Sequence, residues 1–157
     1  QRQMCIRDRI YSETELHARY EILLENYSKV LRIEALTMLD MVQTDILPAV
    51  SDYTAKLVRT AAEKKSLLGD AAGGYEYKTA ARLSALTETA SEDAAKLSDA
   101  LLQAGELPSA QEAADFYQAE VFKDMAELRL AVDEMETLTS RACWPYPTYG
   151  ELLFSVR

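Results

Sequence analysis

His17 is the only histidine of the chain, so it is the first residue whose chemistry has to be weighed. A di-iron site in a helical bundle needs Glu-x-x-His pairs on two helices together with further carboxylates. Glu13 and Glu21 flank His17 at helical spacing, but the residue three positions before it is Thr14. One histidine cannot complete such a site, and we predict that His17 is a solvent-facing helix residue.

The cysteines give no stronger case for chemistry. Cys5 and Cys143 are the only two, and with His17 they are too few and too widely separated for a structural zinc site, which usually has four such ligands. A nucleophile built from Cys143 and His17 would still lack a third group that orients the imidazole. We predict that Cys143 is a small buried residue instead.

Two further patterns fall short of a catalytic motif. Gly69-x-x-x-Gly73-Gly74 superficially resembles a phosphate loop, but no Lys-Ser/Thr follows it and no strand precedes it. It predicts a helix stop and a flexible loop. Asp133 and Glu134 lie on a predicted helix with no visible pocket that could tune their pKa for acid–base work. The sequence therefore predicts no catalytic residue, no cofactor-binding residue and no metal ligand in this chain.

The most unusual feature is a cluster of aromatic rings near the C-terminus. Exposed rings at such density are costly, so we expect them to dock on a surface. Docking within the helical domain and docking on a neighbouring domain or subunit both stay open. We predict an extended tail over residues 144–157, in which residues 151–156 could form a short helix or strand. The four rings are Trp144, Tyr146, Tyr149 and Phe154.

The elements that would position these residues are helices. Residues 12–15 read Ser-Glu-Thr-Glu, a capping box that predicts a helix start. An apolar stripe then recurs at alternating spacings of four and three, which is typical of a helix-packing seam. Glu34 interrupts the stripe, which resumes one position over at Leu31 and reaches Leu57. Pro48 must kink this helix or start a new one. The first members of the stripe are Leu16, Tyr20, Leu23, Tyr27 and Val30.

Glycine and proline positions divide the chain into three helices, at about 13–67, 76–103 and 110–141. We predict an all-α fold: an antiparallel three-helix bundle over residues 10–143, with one very long kinked first helix and an extended aromatic C-terminal tail. At 1.5 Å per residue the first helix would approach about 80 Å, nearly twice the length of the others. Its N-terminal half, from residue 16 to about 42, should therefore project beyond its neighbours and needs a partner.

The predicted docking residues are accordingly the stripe residues Leu16, Tyr20, Leu23 and Tyr27 together with the four rings of the tail. Self-association as a coiled coil and packing on a domain outside this chain both remain open.

Composition excludes several classes of protein. The chain has 157 residues, 48% of them hydrophobic and 27% charged, which is typical of one folded domain. No apolar run approaches about 18 residues and no signal peptide is visible, so we expect no membrane partner. The net charge of −9 repels a phosphate backbone, so we expect no nucleic-acid partner. Two cysteines form no disulfide framework, and a reducing cytoplasm is the simplest compartment.

The acidic excess is concentrated between Glu106 and Glu136. This stretch contains nine acidic residues and only two basic ones, Lys123 and Arg129. A solvated helix face and a cation-binding surface both fit this pattern.

Residues 1–9, QRQMCIRDR, differ in character from the rest of the chain, since they contain three arginines and no helical periodicity. They resemble a recurrent artefact of metagenome assemblies, in which sequencing-adapter bases are translated in frame. We expect an artefactual or disordered leader here, a Cys5 without biological meaning, and a protein that continues upstream.

Two stretches carry a family resemblance. The first is SETELHARYEILLENYSKVLRIEALTMLDM at residues 12–41, continued by DILPAVSDY at residues 45–53; the second is WPYPTYGELLFSV at residues 144–156. Both resemble the C-terminal region of type III glutamine synthetases, the large bacterial form of the enzyme. The resemblance covers nearly all of residues 10–157 and is weakest in the middle helix. The W-P-x-P-T-Y-G-x-L-L-F ending is its most specific part.

This resemblance implies a parent enzyme that makes glutamine from glutamate and ammonia. ATP phosphorylates the γ-carboxylate, ammonia displaces phosphate, and Mg²⁺ or Mn²⁺ bridges the reactants. The implied partners are an upstream catalytic domain and neighbouring subunits of a homo-dodecamer of two stacked rings. The ATP, metal and ammonia sites lie upstream in the family, so no cofactor is expected in this fragment. The alternatives are a free-standing helical or coiled-coil module without activity, and an unrecognised metal-dependent bundle enzyme.

Overall fold

The computed structural model describes residues 11–147 and 149–154, with the backbone but not the side chain of Tyr149. The predicted leader at residues 1–9, with Cys5, and the last three residues of the predicted tail lie outside the described residues. All regular secondary structure in the described part is helical, and no strand occurs in it, which confirms the all-α class.

The first helical segment is the longest and continues without a break from residue 13 to residue 68. It begins at the predicted capping box, which is confirmed. The Ser12 hydroxyl accepts a hydrogen bond of 3.2 Å from the Glu15 N–H, and the Glu15 carboxylate accepts one of 2.8 Å from the Ser12 N–H. The three parts of the segment are α1 (Glu13–Asp40), the π-helical turn π1 (Met41–Ile46) and α2 (Leu47–Leu68).

Pro48 is the second residue of α2, two positions after the end of π1. In that turn the N–H of Leu47 bonds to the carbonyl of Val42, five residues back rather than four. Proline lacks an N–H, and its ring crowds the preceding helical turn. The wider π-helical turn accommodates that ring, so the chain stays helical and a new helix starts beside Pro48.

A tight reversal joins α2 to α3 (Gly74–Gly105). Gly73 has a φ of +81°, a conformation that favours glycine, and a Cβ at this position would lie 2.9 Å from the carbonyl oxygen of Ala61. Beyond the reversal, the buried Glu76 carboxylate forms an ion pair with Lys64. The Lys64 ammonium holds the pKa of Glu76 below its ordinary value. The close approach of the backbone and this ion pair join α2 to the start of α3.

The third helical segment follows α3 and begins at Ser109, whose hydroxyl accepts a hydrogen bond of 3.2 Å from the Glu112 N–H. Its parts are α4 (Ala110–Phe116), the π-helical turn π2 (Tyr117–Val121) and α5 (Phe122–Leu138). α3 packs on both α2 and α5. Many of its buried positions are alanines, so its neighbours can approach closely. The largest fully buried side chains of the core are Leu83, Leu97, Leu128, Met135, Val42, Val50 and Val121.

The N-terminal part of α1 differs from the rest of the first segment. Leu31 is the first buried residue along α1, and no residue between 13 and 30 is buried. Over its whole length, α1 packs more on α4 than on α3 or α5. About the first third of the longest helical segment, residues 13–30, therefore presents most of its surface to solvent.

The C-terminal end departs from prediction in two places. α5 ends at Leu138 rather than near residue 141, because Thr139 has extended backbone angles of −86° and 139°. The tail was predicted to be extended over 144–157, with a short helix or a strand left open at 151–156, and Tyr149–Phe154 form a short helix, α6. Pro145 and Pro147 lie in an irregular stretch that is not helical, and no proline follows them. A helical turn can therefore form in the remainder.

Candidate interface surface

The predicted docking residues on α1 form an apolar stripe along one side of the helix. Leu16 is half-buried, and Leu23 is the most exposed of the four, at 67%. Tyr20 and Tyr27 are 39% and 41% exposed. Because a spacing of four and three returns to the same side of a helix, these side chains make one continuous strip rather than isolated apolar residues.

Helix α4 covers one edge of this stripe. The phenol of Tyr20 donates a hydrogen bond of 2.5 Å to the Oε1 atom of Gln111, and the amide of Gln111 donates one of 2.9 Å to Asp115. These bonds hold the phenol of Tyr20 against α4. Leu23 remains mostly exposed. The stripe is thus partly covered at Leu16, Tyr20 and Tyr27 and most open at Leu23.

A groove lies between the first and third helical segments, next to the stripe. Its volume is about 490 Å³, and its walls are mostly apolar. Two charged side chains, Glu34 and Arg129, lie among its lining residues, and the Arg129 guanidinium is 3.4 Å from the Asp133 carboxylate. The apolar lining comprises Ile33, Met38, Met41, Val42, Ile46, Met125, Leu128 and Val132.

The first two rings of the tail pack against the core of the same chain. Trp144 and Tyr146 are both half-buried against the core cluster. The Tyr146 phenol donates a hydrogen bond of 2.7 Å to the Asp45 carboxylate in π1. Burial, followed by that hydrogen bond, raises the pKa of Tyr146 to about 12. These contacts attach residues 144–146 to the first helical segment.

The remainder of the tail is held more loosely. The Arg141 guanidinium bonds to the Glu151 carboxylate at 2.5 Å and so ties α6 to the preceding turn. Phe154 is 84% exposed, and the neighbouring Leu152 and Leu153 are also exposed. The side chain of Tyr149 lies outside the described residues. Of the three rings whose side chains are described, Trp144 and Tyr146 pack on the core and Phe154 does not.

His17 and Cys143, the residues weighed for chemistry, have different partners in the structure. No group of three or more His, Cys, Asp or Glu side chains in that part of the chain could hold a metal ion. His17 is exposed, with its Nδ1 atom 3.5 Å from the Glu21 carboxylate. Cys143 is half-buried, and its sulfur accepts a hydrogen bond of 3.7 Å from Lys56. None of the described helices is long and apolar enough to cross a membrane.

Comparison with known proteins shows which family the sequence of this chain resembles. A family model described as "Glutamine synthetase C-terminal domain" matches residues 1–65. The glutamine synthetase of Butyrivibrio fibrisolvens is 38% identical over 148 residues, which cover 94% of this chain and 21% of that protein. The chain matches the C-terminal segment of type III glutamine synthetases. The resemblance predicted from the two sequence stretches is thereby confirmed.

Two more distant glutamine synthetases give the same result. That of Bacteroides fragilis is 28% identical over 160 residues, covering 98% of the chain and 22% of the relative. The type-3 glutamine synthetase of Dictyostelium discoideum is 28% identical over 152 residues, covering 92% of the chain and 20% of the relative. The chain thus spans about a fifth of the length of each synthetase that it matches.

The part that matches the glutamine synthetase family model contains the stripe on α1 and the π-helical turn, but not the groove wall on α5 or the aromatic tail. Sequence reasoning missed the groove and the hydrogen bond to Asp45. The signal for the groove was present in the methionines Met38, Met41 and Met125, which are typical of adaptable apolar surfaces. No local signal could have paired Tyr146 with Asp45, because the two residues are 101 positions apart.

Proposed function

We propose that this chain is the C-terminal structural and assembly domain of a type III glutamine synthetase. The observation that carries this proposal is the exposed apolar stripe of α1, in a chain that spans only about a fifth of the synthetases it matches. Monomeric soluble proteins rarely leave long contiguous apolar strips uncovered. A strip of this kind therefore fits a segment that packs on the remaining part of a longer protein.

In this role the three helical segments act as one antiparallel bundle, with α1 bracing the upstream catalytic domain. Residues 144–146 anchor the tail to the bundle through the Tyr146–Asp45 hydrogen bond, and α6 is left available for a contact with a neighbouring subunit. The whole protein would ligate ammonia to glutamate at the expense of ATP, with Mg²⁺ or Mn²⁺, in the cytoplasm and as a homo-dodecamer. Those activities belong to residues outside this chain.

The described residues fit this division of labour. A site for ATP and its metal ion needs oxygen ligands that converge on one point, and the described acidic side chains do not converge in this way. Several of them are instead engaged in ion pairs between or along helices, such as Glu134 with Arg82 and Asp93 with Lys96. These ion pairs are consistent with a structural role for the two carboxylates.

The decisive test is the reading frame upstream of this chain. We expect it to encode a glutamine-synthetase catalytic domain, and a frame without one would contradict the proposal. The complete protein should form glutamine from glutamate, ammonia and ATP in the presence of Mg²⁺ or Mn²⁺. The isolated 157-residue chain should form none under the same conditions. A variant of the complete protein that stops just before residue 10 of this chain should fail to assemble, as measured by sedimentation velocity.

A second candidate function is a free-standing coiled-coil module. The alternating spacing of four and three in the stripe favours it, since such a seam can pair with its own copy. A chain that starts at Ile10 would then form a dimer through Leu16–Val30 in light scattering. A well-behaved monomer would exclude this alternative.

A further inference from the structure

The stripe on α1 and the groove beside it form one continuous apolar surface. Beyond Tyr27 the same side of the helix is continued by Val30, Ile33 and Met41, which are all exposed. Ile33 and Met41 also line the groove, whose opposite wall lies on α5. From residue 16 to residue 41 this surface is about 37 Å long at the helical rise of 1.5 Å per residue.

The shape of this surface fits a helix better than an extended segment. Its exposed side chains recur every three or four residues, the spacing at which one helix packs along another. The groove volume of about 490 Å³ is large enough for several side chains of such a helix. Methionines on both walls, Met41 on one and Met125 on the other, can adapt to the side chains that enter.

Charge argues against a second copy of this chain as the occupant. Glu34 lies on the groove, and no Lys, Arg or His of the described chain forms an ion pair with it. The other charged lining residue, Arg129, is already paired with Asp133. A second copy also carries a net charge of −9 over its whole chain, which disfavours its approach, whereas a lysine or arginine opposite Glu34 would pair with that carboxylate.

The length of the matching synthetases indicates which part of the protein could occupy the groove. About four-fifths of each matching synthetase lies outside the region that this chain covers. We propose that the groove and stripe hold one amphipathic helix from that remaining part of the synthetase, with a lysine or arginine opposite Glu34. This assignment rests on the function proposed above and adds the type of element and the charge that α1 recognises.

The test compares the complete synthetase, obtained from the extended reading frame, with the isolated 157-residue chain. Hydrogen–deuterium exchange is measured at residues 16–41 in both proteins. Leu23→Glu puts a charge on the stripe, and Leu102→Glu puts the same charge on α3; the two leucines are matched in exposure at 67% and 69%. Glu34→Lys tests whether the side chain opposite Glu34 in the docked helix is positively charged.

We expect residues 16–41 to exchange more slowly in the complete synthetase than in the isolated chain. Leu23→Glu should abolish this difference and lower the assembled fraction by roughly tenfold, as for a residue central to an interface, whereas Leu102→Glu should not. Glu34→Lys should act in the same direction as Leu23→Glu. Both leucine variants should leave the circular dichroism of the isolated chain unchanged, so that a folding defect is not mistaken for lost docking.

Three results would overturn the assignment. Equal exchange in an assembled and active synthetase would contradict the docked helix while leaving the proposed function intact. An isolated chain that dimerises, and that Leu23→Glu makes monomeric, would show that a second copy is the occupant. An upstream frame without a synthetase would remove both the proposed function and the helix inferred from it.

Discussion

Tyr146 and Asp45 join the aromatic tail to the middle of the first helical segment. Their phenol and carboxylate oxygens are 2.7 Å apart, although 101 positions separate the two residues. The carboxylate lies in π1, which ends two positions before Pro48, so the bond attaches the tail to the irregular part of the segment. The contact is an anchor that a local change in either residue would release.

Replacing Tyr146 with Phe should therefore destabilise the chain. The variant keeps the packing of the ring and loses the hydrogen bond to Asp45, at a cost of about 1 kcal/mol in the free energy of unfolding. Chemical denaturation at neutral pH measures the change. Tyr77→Phe is the matched control, because Tyr77 is an exposed tyrosine of α3. A loss of the same size in both variants would contradict an anchoring role for Tyr146.

The same phenol makes a second prediction, for alkaline pH. The pKa of Tyr146 is raised from an ordinary 10.0 to about 12 in the folded chain, so the folded state favours the protonated phenol. Its contribution to stability is complete below about pH 10 and is lost as the pH rises through about 12. The free energy of unfolding should fall more steeply over this interval in the wild type than in Tyr146→Phe. Parallel curves for the two proteins would contradict the raised pKa.

The reversal between α2 and α3 should be sensitive to a single methyl group. Gly73→Ala places a Cβ 2.9 Å from the Ala61 carbonyl oxygen and at a positive φ, at a cost of about 1–2 kcal/mol. Gly74→Ala is the matched control, since nothing lies within 4 Å of a Cβ there. Thermal unfolding of both variants should show a lower midpoint for the first alone. Equal midpoints would mean that the reversal tolerates a side chain at Gly73.

The link between α3 and α5 should depend on salt and acid. The Arg82 guanidinium donates two hydrogen bonds of 2.6 Å to the Glu134 carboxylate, and it holds the pKa of that carboxyl below its ordinary 4.5. Because both side chains are largely exposed, Glu134→Gln should lower the thermal midpoint slightly, and less so at high salt. The contribution is present above pH 4.5 and disappears as the pH falls through the lowered pKa. Glu136→Gln on the same helix is the control, and an equal effect would contradict the pairing.

The core on α3 should respond as a close-packed interior. Leu97 is completely buried, and Leu97→Ala should cost about 2–5 kcal/mol because it removes apolar contacts and leaves a cavity. Leu102, five residues on and 69% exposed, is the control, and its replacement with Ala should change stability by less than about 0.5 kcal/mol. Urea denaturation separates the two. A small loss at Leu97 would mean that α3 does not lie in the core.

Local features of the fold were accessible from the residues themselves. The capping box at Ser12 and Glu15 depends on bonds between residues three positions apart, so its sequence pattern is sufficient to predict it. Gly73 marks a reversal because glycine alone readily takes a positive φ. Apolar periodicity was likewise sufficient to predict the all-α class, because a helix forms through hydrogen bonds between residues that are close in the sequence.

The surface on α1 was predictable only in part. The exposed stripe through Leu23 follows from a helix too long for its neighbours, which a count of residues already indicates. The groove does not follow, because its second wall on α5 depends on how the third segment lies against the first. Met38 and Met125 are far apart in the chain, and only packing brings them to one groove.

By itself, the sequence determined the helices, their starts, the excess length of the first segment and the resemblance to type III glutamine synthetases. Tertiary structure alone decided that Tyr146 bonds to Asp45 and that the stripe opens into a groove. The physical reason is the range of the interactions. Caps, glycine turns and helical periodicity act over a few residues, whereas grooves and anchors depend on contacts between segments that are distant in the chain.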